Sequence, residues 1–232
     1  METMTTSIIL PFLVFFPFLG AVISYIIGRS NKGARDIWCW ILSAVIFIAS
    51  LMLIGKETVY SLRGFCGLGL SFAADGFGVI LAVLTGAIWL ITTIFSKEYM
   101  AAERNRNRYY FFVFLTLGAT MGIFLSADLF TTFIFFEIMS FTSFVLVMHD
   151  EEDFTVRSAK TYLAVAVIGG LVTLMGLFMM YQKAGTLNMA ELTAFMQSRE
   201  NPAEFYAIGV LILFGFAAKA GLFPLHIWLP NA

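Results

Sequence analysis

Glu137 and Lys219 each stand alone in surroundings that penalise charge. Glu137 lies within LFTTFIFFEIMSFTSFVLVM (129–148), and Lys219 within FYAIGVLILFGFAAKAGLFPLHIWLP (205–230). Each is the only formal charge in its stretch. A charge at mid-bilayer costs about 2.5–3.5 kcal/mol on insertion scales. A chain that keeps one acid and one base at such depth is expected to use them, and moving protons is the simplest use. Burial favours the neutral form of each group and a nearby opposite charge favours the ionised form, so an acid between the two influences can titrate near neutral pH. At about 4 Å and an effective dielectric near 20, the pair gains about 4 kcal/mol. That matches the cost of burying one partner, so the pair is not locked. The plainer alternative for Glu137 is a protonated acid bonded to Ser140 that only packs; for Lys219 it is snorkelling from a helix end.

A third feature adjoins the lysine. Gly221-Leu222-Phe223-Pro224 interrupts an apolar run. Pro224 lacks a backbone N–H and clashes with the preceding turn. Broken backbone at membrane depth is tolerated only inside protein or along a wet cavity, and such breaks mark ion sites in transporters. Gly221 and Pro224 are therefore the predicted helix break. His226 stands seven residues beyond Lys219, on its face if the turns continue, and a histidine titrates near pH 6.5. It is a candidate proton relay, with a helix-orienting hydrogen bond as the alternative.

The elements that must position these residues are membrane spans. The composition is 60% hydrophobic and 12% charged, with a mean hydropathy of +0.88. A chain of 232 residues cannot hide that much apolar surface in a water-soluble core. A span needs about 20 apolar residues. Seven stretches qualify: 7–28, 37–54, 76–95, 109–127, 129–148, 161–182 and 205–230, the last interrupted. The expected fold is an all-α polytopic membrane protein of about seven transmembrane helices, the seventh broken. The run from Ser7 lacks a basic leader and is too long for a cleaved signal.

Lys and Arg placement sets orientation. With the N-terminus outside, the inner loops hold Arg29, Lys32, Arg35, Lys97, Arg104, Arg106, Arg108, Arg157 and Lys160. The outer loops hold Lys56, Arg63, Lys183 and Arg199. Nine against four supports a multi-pass protein of the inner (cytoplasmic) membrane in that orientation. Residues 57–72 alternate weakly and predict a short hairpin. Residues 184–204 predict an amphipathic helix carrying Met189, Leu192, Phe195 and Met196. Asp75 and Asp128 stand at span boundaries, where capping is their ordinary role. The acidic run 149–153 reads as a solvated helix boundary. Cys39 and Cys66 fall at opposite ends of a span, too far apart for a disulfide.

Other classes find no support in the sequence. It has no hydrolytic carboxylate pair, no nucleophile–base arrangement, no CxxC, no Walker loop and no GxGxxG after a strand. No catalytic residue, cofactor or metal site is expected on this chain. The net charge of −1 offers no basic stripe for nucleic acid.

Four stretches carry a family resemblance: SFAADGFG (71–78), SADLFTTFIFFEIMSFTSFVLV (126–147), QKAGTLNMAEL (182–192) and FGFAAKAGLFPLHIWLPNA (214–232). They resemble the antiporter-like proton-translocating subunits of NADH:quinone oxidoreductase, membrane-bound hydrogenases and Mrp-type cation/proton antiporters. The acid in FFE-x-MS together with the lysine before FPLHIWLP is specific in combination, and GTLNMAEL leans towards the Mrp and hydrogenase branches. The resemblance implies that Glu137 modulates Lys219 on a broken seventh helix, and that His226 matches the histidine after that break. In such subunits protons enter by a wet half-channel, reach this lysine and pass laterally to a second lysine. It implies other membrane subunits as partners, protons as the transported ion with Na⁺ as the alternative, and lipid as solvent.

No low-complexity linker divides the chain, so a single membrane domain is expected over 1–232. Residues 1–95 would form three N-terminal helices, and 109–232 most of a first antiporter-like repeat, truncated. Members of the family run to about twice this length, with two inverted repeats. The chain is thus expected to be a fragment, or a split subunit whose second repeat lies on another chain or segment. Two rival readings remain: a Na⁺(K⁺)/H⁺ antiport subunit of Mrp type, and a structural membrane anchor without an ion path.

Overall fold

The computed structural model describes residues 5–198, 203–223 and 225–231. They form two compact units that divide at Ser126/Ala127.

The first unit is a four-helix arrangement with a small sheet at one end. Its helices are α1 (Ile9–Ser30), α2 (Lys32–Leu51), α3 (Gly76–Tyr99) and α4 (Arg106–Phe124). Helix α1 packs on α2 and α4, and α2 packs on α3. Close approach of α1 and α4 needs Gly118, where an added Cβ would stand 2.8 Å from the Val14 carbonyl and 2.7 Å from the Phe18 ring. The predicted hairpin is present as β2 (Thr58–Leu62) and β3 (Leu70–Ala74), antiparallel with Tyr60 opposite Phe72. A third strand was not anticipated: β1 (Thr5–Thr6) pairs in parallel with β2. Ser126 bridges to Phe72. Residues 5–6, the hairpin and Ser126 therefore meet at one end of the unit, as an even number of crossings requires.

Helix α2 begins five residues before the predicted span, because Asn31 caps it by accepting from the Ala34 N–H at 3.0 Å. Arg35, expected in a loop, is consequently helical and fully buried. Its Nε and Nη2 donate to Asp36 Oδ1 at 3.0 and 2.7 Å, and its Nη1 donates to Asn107. Arg106 approaches Asp36 Oδ2 at 3.4 Å, and the Arg35 guanidinium lies 4.7 Å from the Tyr110 ring centroid.

The second unit holds α5 (Leu129–Val147), α6 (Asp153–Ala184), α7 (Met189–Gln197), α8 (Ala203–Ala220) and a 3₁₀ segment, Leu225–Asn231. Asp128 caps α5, accepting from the Thr131 N–H at 2.7 Å and the Thr131 hydroxyl at 2.6 Å. Asp75 caps α3 likewise through the Gly78 N–H at 2.6 Å. Asp128 also bridges to Asn188, so the start of α5 and the entry to α7 share one end. The predicted amphipathic helix is α7. Its Leu192 joins Phe130, Phe133, Leu177, Met180, Leu187, Phe205 and Ile208 in a buried cluster.

Helix α8 packs along α6 through small residues. An added Cβ on Gly169 would stand 2.9 Å from Ala218 Cβ, one on Gly176 2.7 Å from Ile212 Cγ1, and one on Gly215 2.9 Å from Thr173 Cβ. The helix ends in a Schellman turn at Gly221: φ is +67°, the Leu222 N–H reaches the Ala217 carbonyl at 3.0 Å, and the Gly221 N–H reaches Ala218 at 3.4 Å. The interruption is thus already made by Gly221. Pro224, the other residue assigned to it, lies outside the described residues.

Among the described residues, five helices are long and apolar enough to cross a membrane: α1, α2, α3, α5 and α6. Two of the seven expected spans fall short of that measure. Helix α4 opens with Arg106, Asn107 and Arg108, and the apolar part of α8 is only Phe205–Ala220 because Gly221 stops it. Helix α6 is longer than its predicted span. Its 32 residues rise about 48 Å against a hydrocarbon core of about 30 Å.

Candidate functional site

Three helices of the second unit bring the predicted residues together. Helix α5 supplies Glu137 and Ser140, α6 supplies Tyr162, and the last turn of α8 supplies Lys219. The small-residue contact of α6 with α8 sets Lys219 beside Tyr162, since Ala218 touches Gly169 two turns along α6.

The Lys219 ammonium donates to the Tyr162 hydroxyl. It lies 4.7 Å from the Tyr162 ring centroid and 6.0 Å from that of Phe136, so it rests on π-faces as well. Tyr162 in turn donates to the Ser140 carbonyl at 3.1 Å. Trp228 closes the other side: its ring stands 4.9 Å from Tyr162, and its Nε1 donates to the Ala218 carbonyl at 3.0 Å. Phe136 meets Phe216 edge to face at 4.8 Å.

Glu137 is held differently. Its carboxylate lies against the bare Cα of Gly170, where an added Cβ would fall 2.8 Å from Glu137 Cδ. Its Oε1 is buried without a hydrogen-bond partner among the described residues. Glu137 and Lys219 are within electrostatic reach of one another. No ion pair within 4.0 Å joins them, however, because the ammonium is turned to Tyr162. The alternative in which Glu137 bonds Ser140 is not observed either: the Ser140 hydroxyl donates to the Phe136 carbonyl at 2.8 Å.

His226 sits in the 3₁₀ segment, its ring 5.6 Å from Phe223 and its Nδ1 buried without a hydrogen-bond partner among the described residues. The turns do not continue from Lys219 to His226. Gly221 takes the chain out of register, so the seven-residue spacing does not place them on one face. Sequence reasoning missed Tyr162 and Trp228. The signal for Tyr162 was the buried stripe Tyr162, Ala166, Gly169, Thr173, Gly176 and Met180, spaced by three and four along α6. Among the described residues no His/Cys/Asp/Glu group has the makings of a metal centre.

Residues 126–232 match the family model described as NADH:quinone oxidoreductase/Mrp antiporter, transmembrane. A Na⁺/H⁺ antiporter subunit of Bacillus subtilis (strain 168) is 30% identical over 236 residues, covering 99% of this chain and 47% of the relative. A Na⁺/H⁺ antiporter subunit of Alkalihalophilus pseudofirmus is 32% identical over 164 residues, 71% of this chain and 33% of the relative. The chain spans about half the length, or less, of these curated relatives. Among solved structures, the fold resembles a chain of the membrane-bound sulfane sulfur reductase, an archaeal respiratory membrane complex (TM-score 0.86, 22% identity, 97% of this chain and 47% of that one). It also resembles a chain of the Mrp complex from Dietzia sp. DQ12-45-1b (TM-score 0.80, 24% identity, 96% and 42%). By sequence over its second half, and by fold over almost its whole length, this multi-pass membrane chain belongs with the antiporter-like subunits of the NADH:quinone oxidoreductase/Mrp family.

Proposed function

We propose that the chain carries a proton-loading site of a proton-translocating antiporter-like subunit, with Lys219 as the group that takes and releases the proton. The observation that carries this is the seat of Lys219. A half-buried amine, one residue from a helix terminus, is held by a neutral phenol, while a carboxylate within electrostatic reach has a buried, unbonded oxygen. A permanent structural ion pair would close that gap. Glu137 sets the charge state of Lys219, and His226, beyond the Gly221 break, receives or supplies the proton. The subunit works beside other membrane subunits and needs the second repeat, from a further segment or another chain, to complete the path. The excess of Lys and Arg in alternate loops supports an N-terminus outside and residence in the inner membrane.

A second reading, antiport of Na⁺ or K⁺ against protons, is favoured by the names of the relatives. The test is proton flux in proteoliposomes holding the complete complex, with and without a Na⁺ gradient. Lys219→Ala should abolish flux while leaving the complex assembled. Unchanged flux in that variant removes Lys219 from the path and leaves the anchor reading. Flux that requires Na⁺ selects the antiport reading.

A further inference from the structure

The first unit has a cleft of its own. It has a volume of about 710 Å³, between the end of α2 and the first three turns of α3. Its walls are apolar, with Leu53, Ile80, Val83 and Ala87 among them, and its ionisable groups are Lys56, Glu57 and Asp75. These three flank the α2–β2 turn and the start of α3, so they stand together at the mouth.

The cleft is a wedge with a physical cause. At its narrow end the helices touch: a Cβ on Gly86 would stand 3.0 Å from Phe47 Cα and 3.3 Å from Ser50 Oγ. Further along, Ser43 donates to the Thr93 hydroxyl at 2.9 Å and Trp40 Nε1 to the Thr93 carbonyl at 3.2 Å. Towards Lys56 and Gly76, among the described residues, no such tie holds α2 to α3. From Gly76 to Ala87 the wedge runs about 16 Å along α3. Ile80 and Leu84, 65% and 54% exposed, continue the apolar wall onto the outer surface.

We infer that this cleft binds a zwitterionic aminophospholipid, phosphatidylethanolamine in chemical class, with one acyl chain in the wedge and the headgroup at the mouth. An apolar slot that opens at a span boundary fits an acyl chain in depth and character. The mouth chooses the headgroup. Lys56 and Glu57 are both exposed and make no ion pair among the described residues. Lys56 complements a phosphate, and Glu57 complements an ammonium. Asp75, although it caps α3, adds a second negative charge. One cation with two carboxylates disfavours a net anionic headgroup and suits one that carries both signs. The inference requires only that α2 and α3 span a bilayer, and it is independent of the proton-loading role of Lys219.

The test is photo-cross-linking in nanodiscs containing the complete complex and equal amounts of phosphatidylethanolamine and phosphatidylglycerol, each in turn carrying a diazirine near the chain end. Phosphatidylethanolamine should label peptides containing Val83 and Ala87 about fivefold more than phosphatidylglycerol, the ratio expected from one charge near the membrane surface. Val83→Trp, which fills the wedge, should remove that labelling. Glu57→Lys, a surface change that leaves the helix packing alone, should bring phosphatidylglycerol level with or above phosphatidylethanolamine. Equal labelling by both lipids in the unaltered protein overturns the inference. So does labelling indifferent to both substitutions, or a cross-link from Val83 to another subunit in place of lipid.

Discussion

The two units bury ionisable side chains in opposite ways. In the first, Arg35 and Asp36 are neighbours in sequence, and their charges are met by one another, by Arg106 and by Asn107. In the second, Glu137 and Lys219 come from helices far apart in sequence. The lysine is satisfied by a phenol, and the acid keeps a buried oxygen unmatched. Arg35 and Asp36 are fully enclosed and Glu137 and Lys219 half-buried, so both pairs carry desolvation costs, the first pair the larger ones. The difference is in how they are met: a closed network fixes structure, whereas an open one leaves a charge free to change partner or protonation state.

Either half of this contrast can be overturned by experiment. The largest effect expected is that of Lys219→Ala, which should reduce proton flux to background. A second test is Asp36→Ala. Removing one member of a buried ion pair typically costs about 3–5 kcal/mol. The purified complex should therefore lose thermal stability, while the flux of molecules that remain folded stays normal. A specific loss of flux without loss of stability would erase the contrast between the units. Glu137→Gln should lower flux by about a hundredfold, the low end for a positioned proton-transfer group, with melting nearly unchanged because the Gly170 contact is kept. Tyr162→Phe is the mildest. It deletes two hydrogen bonds, the one accepted from Lys219 and the one donated to the Ser140 carbonyl, each worth about 1 kcal/mol or somewhat more, and should change flux by only a few fold while raising the reactivity of Lys219 towards amine reagents. An unchanged reactivity would show that the phenol does not hold the ammonium.

Much of the fold was legible because lipid simplifies the reading. Apolar runs bounded by Asp75 and Asp128 gave the starts of α3 and α5 to the residue, since capping aspartates are local signals, while α3 runs four residues beyond its predicted end. The hairpin and α7 followed from alternation and helical spacing. What escaped was long-range. Nothing local says that Arg35 will fold into α2 and meet Asn107, 72 residues on, because that depends on the packing of α1, α2 and α4. Glu137 and Lys219 were found because an isolated charge in an apolar run is conspicuous. Tyr162 was not, because a tyrosine costs little to bury and only α6–α8 packing brings its hydroxyl to the ammonium. The expected Glu137–Lys219 contact was drawn from charge alone, and a third side chain intervened.

The Schellman turn has an electrical consequence. Gly221 ends α8 two residues after Lys219, so the lysine stands at the carboxyl pole of that helix. Aligned peptide dipoles place about half a negative elementary charge there. The main chain thereby supplies a fixed partial counter-ion to a mobile cation. Lys219 can stand apart from Glu137 without becoming bare in a low-dielectric interior, and a residue that lengthened α8 through Gly221 would withdraw that support without touching a single side chain of the site.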